Sequence, residues 1–168
     1  MAIQMGLNWS NSAVFKRKFR WLFFIDKIVD GGLEALPPSK GSRPNLSFKE
    51  QGLEHLNETI YFPLKPEWKT FQLSLFDIKC NFWPVWDNWL KNFYNPEDGS
   101  YLPPIDAEYK KDATLKLYDG CGYTLEQWKF EKCYPSELDF ETLDMSETGI
   151  IHINLTLRYD RAYLDKNF

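Results

Sequence analysis

A chain of 168 residues suffices for one domain with a sizeable core, and 43% hydrophobic with 17% aromatic content marks it as globular rather than disordered. Its 20 basic and 24 acidic residues leave a formal net charge of −4, which argues against an electrostatic footprint for tight nucleic-acid wrapping. Cys80, Cys121 and Cys133 lack metal-ligand spacing, so reduced thiols in an intracellular product are expected.

Residues 1–15 read as a polar arm, and MAIQMGLNWSNSAVFKRKF shows no basic segment followed by an apolar core, so no secretory signal is expected. RKFRWLFFIDKI then sets Phe19, Trp21, Phe23 and Ile25 against Lys18, Arg20, Leu22, Phe24 and Asp26, a first strand with one apolar and one half-apolar face. Its run Trp21 to Ile25 is the longest apolar stretch, far short of the roughly 20 residues a membrane span needs. From Val29 to Pro66 the chain is punctuated by DGG, PP, GSRP and PLKP around RPNLSFKE and NETIYFP, too long for a plain connection. A functional loop or a protruding hairpin is expected there. EWKTFQLSLFD alternates Phe71, Leu73 and Leu75 with Thr70, Gln72 and Ser74, another strand.

At NFWPVWDNWLKNFYNPEDG the period changes. Phe82, Trp86, Trp89, Leu90 and Phe93 form one stripe of a helix over about residues 82–94, with Pro84 in its first turn. ATLKLYDGCGYTLEQWKFEKCYP reads as a hairpin turning at Asp119-Gly120-Cys121-Gly122, and SELDFETLDMSE as an acidic link. GIIHINLTLRYDRA alternates Ile151, Ile153, Leu155, Leu157 and Tyr159 with His152, Asn154, Thr156, Arg158 and Asp160. Strands dominate without βα alternation, so the fold expected is mainly β: an antiparallel barrel or sandwich with one flanking helix, as a single domain over residues 1–168.

The chemistry is sparse. His55 and His152 have no partners at ligand spacing, and no nucleophile elbow, phosphate loop or dinucleotide fingerprint occurs. Sequons at Asn8, Asn45, Asn57 and Asn154 are read as chance. Glu137, Asp139, Glu141, Asp144 and Glu147 lack the glycine and oxygen spacing of a calcium loop, so a solvated acidic face is expected. No catalytic residue, metal or cofactor is nominated, and an enzyme is not expected.

The order of RWLFFIDKI, EALPPSKGSRPNLSFKE, IYFP, EWKTF, the Trp-rich helix, YKKDATLKLYD, GYTLEQWKFEKCYPSELDF and LTLRYDRA resembles the tail tube proteins of contractile-tailed bacteriophages over about residues 17–162. The Hcp proteins of type VI secretion are similar in architecture. The resemblance implies a subunit of a six-fold ring, a homohexamer, stacked with others into a hollow inner tube. A contractile sheath would surround it, with tape-measure and baseplate proteins as partners. DNA would pass through the lumen unbound at ejection, with no membrane partner, in a virion tail assembled in the host cytoplasm. Alternatives are a tube initiator or baseplate ring protein of the same fold, a tube subunit of a bacterial contractile injection system, or a small-ligand-binding β-barrel.

The resemblance also implies that the loop after the first strand, residues 36–63, reaches a neighbouring subunit or ring. Arg43, Asn45, Ser47, Phe48, Glu50, His55, Asn57 and Glu58 are therefore the expected contacts in this segment. By charge complementarity, Lys16, Arg17 and Arg20 are expected to meet Glu137, Asp139 and Glu141 of a neighbour, and Arg158 and Asp160 to pair across a seam.

Overall fold

The computed structural model describes residues 16–29, 32–36, 38–78, 84–101 and 109–166, without the side chains of 27–29 and 32–36. The expected arm over residues 1–15 lies outside them. Strands β1 (Trp21–Val29), β2 (Gly32–Leu36) and β3 (Pro38–Gly41) come first, then β4 (Leu46–His55), β5 (Glu58–Trp68) and β6 (Phe71–Phe76). Two short strands, β7 (Tyr94–Asn95) and β8 (Ser100–Tyr101), precede β9 (Lys111–Tyr118), β10 (Thr124–Phe140), β11 (His152–Arg158) and β12 (Arg161–Asp165).

Among the described residues the main ladder runs β2-β1-β9-β10-β11-β6-β3, with β12 also on β10, and every pairing is antiparallel. It is an open path. Of the two forms expected, packed antiparallel sheets are what the pairing makes, not a closed barrel. β10 belongs to both sheets: residues 124–131 pair with β9 and β12, residues 134–140 with β11. Between these halves the register with β9 slips, Lys132 adopts a φ of 55°, and its N–H donates to Asp112 Oδ1 at 2.9 Å. A bulge of this kind bends a strand and increases its twist, and so carries β10 from one sheet into the other.

Alternation explains the core. Phe23 and Ile25 of β1, Phe71, Leu73 and Leu75 of β6, Ala113 and Leu115 of β9, Phe130 of β10, and Ile153, Leu155 and Leu157 of β11 all point inward and are buried. Phe23 stacks on Phe71 at 5.1 Å, and Phe130 meets both edge-on, so aromatic rings from the two sheets interlock. Phe19, expected on this face, lies before the strand begins and is exposed.

Two further elements differ from expectation. Residues 84–86 make one helical turn, closed by Asn88 N–H donating to the Pro84 carbonyl at 3.2 Å, and Leu90–Asn92 tighten into a 3-10 turn. The helix is thus shorter than its periodicity suggests, and residues 82–83 lie outside the described part. The Asn92 amide donates to the Asn88 carbonyl at 2.6 Å, local side-chain bonding of a type that competes with helical backbone. Val85 and Trp89 are the buried side chains, while Trp86 is half-buried with its ring 5.7 Å from Phe140. The acidic link, in turn, begins as strand. Residues 136–140 continue β10, with Leu138 packed against the core and Glu137 and Asp139 on the opposite face.

Candidate assembly surfaces

Among the described residues β4 and β5 pair only with each other, as a two-stranded sheet of 10 and 11 residues that leaves the body at Leu46 and returns at Trp68. Residues 36–41, expected in the same loop, instead belong to β2 and β3. Cross-strand register sorts the hairpin's side chains into faces. Leu46 and Phe48 oppose Trp68 and Pro66 near the base, while Leu53 opposes Ile60 and Gln51 opposes Phe62 on the other face nearer the tip. Leu46, Phe48, Leu53, Ile60, Tyr61 and Phe62 are all exposed, and Leu56, at the turn, is 94% exposed with a φ of 56°. Of the residues expected here, Ser47 Oγ donates to the Glu67 carbonyl at 3.3 Å. Glu50, His55, Asn57 and Glu58 are exposed along the strands and turn, and Asn45 lies just before β4.

The charged residues find partners inside the chain. Glu126 is a carboxylate on the core side of β10, its side chain 8% exposed, with Lys16 bonded to Oε2, Arg43 at 3.3 Å from the same oxygen, and Trp128 Nε1–H donating to Oε1 at 2.6 Å. Burial opposes its charge, but the Lys16, Trp128 and Arg43 contacts outweigh that penalty and hold the carboxyl below its ordinary range. Lys16 and Arg43 precede β1 and β4, so one buried carboxylate ties the starts of two segments to the body. Arg17 follows Lys16 in the chain, and the Arg20 guanidinium lies over the Phe19 ring at 5.4 Å.

The acidic run and the last long strand answer one another. His152 N–H donates to Glu141 Oε2 at 2.8 Å, Asn154 Nδ2 to Asp139 Oδ2 at 3.4 Å, and Thr156 Oγ1 to Glu137 Oε2 at 3.2 Å. Ser74 Oγ extends the row by donating to Asn154 Oδ1 at 2.6 Å. Asp160 accepts from Lys110 Nζ at 3.0 Å, and Arg158 is exposed. Glu126 and the exposed apolar residues Leu53, Leu56, Ile60, Tyr61 and Phe62 were not among the expected sites. The signal for Glu126 was present, since it shares its period-two row with Trp128 and Phe130.

Two edges complete the picture. Among the described residues, no strand covers the outer edge of β10 over residues 134–139 or the outer edge of β3. Among the described residues, the sheet containing β10, β11, β6 and β3 is therefore open on both sides.

Known proteins place this architecture. No protein-family model matches the chain, and no curated protein matches its sequence. Among solved structures, a chain in the cryo-EM structure of the anti-feeding prophage tube-terminating cap aligns with a TM-score of 0.72 at 17% identity, over 96% of this chain and 99% of that one. A chain of the PVC sheath–tube complex, an extracellular contractile injection system in its extended state, aligns at 0.69 and 16% identity, over 90% and 91%. The SPP1 tail tube aligns at 0.54 and 10% identity, over 90% of this chain and 79% of that one.

The fold is the tail-tube fold. Among the described residues no helix is long and apolar enough to cross a membrane, and no group of three or more His, Cys, Asp or Glu side chains could hold a metal ion.

Proposed function

We propose that this chain is the repeating ring subunit of the inner tube of a contractile apparatus, a phage tail or a related injection system. The observation that carries the reading is the β4–β5 hairpin. An isolated two-stranded hairpin is marginal in water, and this one keeps eight large hydrophobic side chains, Leu46, Phe48, Leu53, Leu56, Ile60, Tyr61, Phe62 and Leu64, exposed. A neighbouring subunit or ring that covers them supplies the core the hairpin lacks. Six copies join through the free edges of β10 and β3, which continues the sheet from chain to chain and leaves no edge open when the ring closes. Ring-on-ring contact is head to tail and does not close, so it grows a hollow tube.

In this reading the sheath surrounds the tube, tape-measure and baseplate proteins set its length and start, and cargo passes along the lumen without specific binding. For a phage tail that cargo is DNA, and the particle is a virion assembled in the host cytoplasm. The formal charge of −4 supports a passage that repels phosphates. A second reading, a single terminal or initiating ring, is supported by likeness to chains in cap and baseplate structures, at TM-scores of 0.72 and 0.69.

Negative-stain electron microscopy of the purified protein separates these readings. Hollow filaments with an axial repeat support the tube, isolated rings support the terminal role, and dispersed monomers at high concentration overturn both. Phe48→Asp, at a side chain 55% exposed, is expected to leave a folded protein that no longer assembles. Normal tubes from this variant would remove the hairpin from the assembly.

A further inference from the structure

The solvent face of the sheet containing β10, β11, β6 and β3 carries opposite charges at its two open edges. Register sets Lys40 of β3 beside Ser74 of β6, Ser74 beside Asn154 of β11, and Asn154 beside Asp139 of β10. Directly opposed residues of an antiparallel ladder share a face, so these four make one polar row. Lys40 is the charged residue of β3, is exposed, and makes no ion pair among the described residues. At the other end Asp139 and Glu137 are exposed on the same face. Their hydrogen bonds come from the neutral side chains of Asn154 and Thr156, and neither meets a cation among the described residues.

Within one chain the two ends of the row cannot meet. Three strand spacings separate β3 from β10, roughly 14 Å, which is beyond the reach of a lysine side chain. Between copies they come together. The ladders from β3 to β6, β6 to β11 and β11 to β10 are all antiparallel, so the two edge strands run in opposite directions. A rotation that lays β3 of one copy along β10 of the next therefore adds another antiparallel ladder. With the row continued straight across, Lys40 stands opposite Asp139. A shift of two residues, which keeps the same face outward, exchanges Asp139 for Glu137 or Glu141.

The other edge pairings are opposed by charge. A two-fold axis normal to the sheet would lay β3 on β3, with Lys40 against Lys40, or β10 on β10, with the two carboxylate rows against each other. Like charges across a ladder are destabilising. An edge lysine is a common guard against edge-to-edge pairing. Here it admits only an edge that presents carboxylates on the same face.

We infer that Lys40, facing Asp139 and Glu137 of a second copy, sets the polarity of the edge contact: β3 joins β10 head to tail, and two-fold edge pairing is excluded. The inference rests on the ring reading and names the side chains that choose a heterologous ring over an isologous dimer. Lys40 thereby takes the place of Lys16, Arg17 and Arg20, the cations expected to face the acidic run.

The test is a mixing experiment. Lys40→Glu makes both edges acidic, and Glu137→Lys with Asp139→Lys makes both edges basic. Each variant changes exposed side chains and should keep the wild-type unfolding temperature. Alone, each is expected to lose rings in electron micrographs and to scatter light as a monomer. An equimolar mixture should recover rings, because every seam then joins an acidic edge to a basic one. Rings at wild-type yield from Lys40→Glu alone, or no rings from the mixture of two folded variants, would overturn the inference while leaving the ring reading intact. Should the double variant unfold at a lower temperature, Lys40→Glu alone decides. Wild-type protein that forms no rings would instead overturn the ring reading.

Discussion

The body and the hairpin carry the same sequence signal and meet opposite fates. Phe71, Leu73 and Leu75 alternate along β6 and are buried, while Phe48 on β4 and Ile60 and Phe62 on β5 occupy their strands with similar spacing and stand in solvent. In the body a second sheet lies about 10 Å away to receive each side chain. In the hairpin no second layer exists among the described residues. Apolar periodicity therefore declares that a face needs covering without declaring which molecule covers it.

Substitutions can sharpen that contrast, beginning in the body. Phe23→Ala should cost about 3–5 kcal/mol by opening a cavity between the Phe71 and Phe130 rings, measured by chemical unfolding of the monomer. A cost comparable to that of Phe48→Asp would erase the distinction between the regions. Gly41→Val comes next. The added carbons collide with Trp21, and a loss of about 1–3 kcal/mol in the same measurement is expected.

Glu126→Gln tests the junction between the regions, because it releases both Lys16 and Arg43. A loss of about 1–2 kcal/mol is expected, modest because both cations remain partly exposed and recover hydration. Its pH dependence has a definite sign. The folded carboxyl lies below its ordinary value, so its contribution is full above that value and disappears as pH falls through the depressed one. Thermal unfolding of wild type and variant should therefore differ at neutral pH and converge in acid below the ordinary carboxylate range. A constant difference across that series would deny Glu126 this role.

The smallest effect belongs to the hairpin tip. Leu56 holds a left-handed backbone, so Leu56→Gly should stabilise the monomer by about 1 kcal/mol at most while weakening assembly. Thermal unfolding and light scattering on the same sample separate these effects, and unchanged assembly would exclude the tip from the contact.

Much of the body was legible because its strands obey a strict period of two. β6, β9 and β11 show their inward residues directly, and the turn at Asp119 is marked by DGCG, with Asp119 Oδ1 accepting from the Cys121 and Tyr123 amides at 2.8 Å each. The helix was overread because Trp86 and Trp89 fit a stripe of 3.6, yet only Trp89 of the two is buried once the segment tightens into a 3-10 turn. The acidic stretch was read as a link because its carboxylates outweigh its apolar residues. Leu138, one of those few, packs the last part of β10 against the core.

The assembly residues were harder to see, for a physical reason that the charges make plain. Opposite charges were expected to meet between copies, but Lys16, Arg43, Asp160 and Glu141 each lie within 4 Å of an oppositely charged or protonatable group in their own chain. Which charge is left over depends on folded distances.

The sequence alone determined a β-rich chain, the inward faces of its strands, the site of a projection after the first strand and the absence of recognisable catalytic motifs, because periodicity and residue type are local properties. Tertiary structure decided that β10 serves two sheets, that Glu126 anchors two segments, and that the polar row of β11 is answered by the acids of β10. These depend on the bulge at Lys132 and on cross-strand register, which bring together residues far apart in the chain.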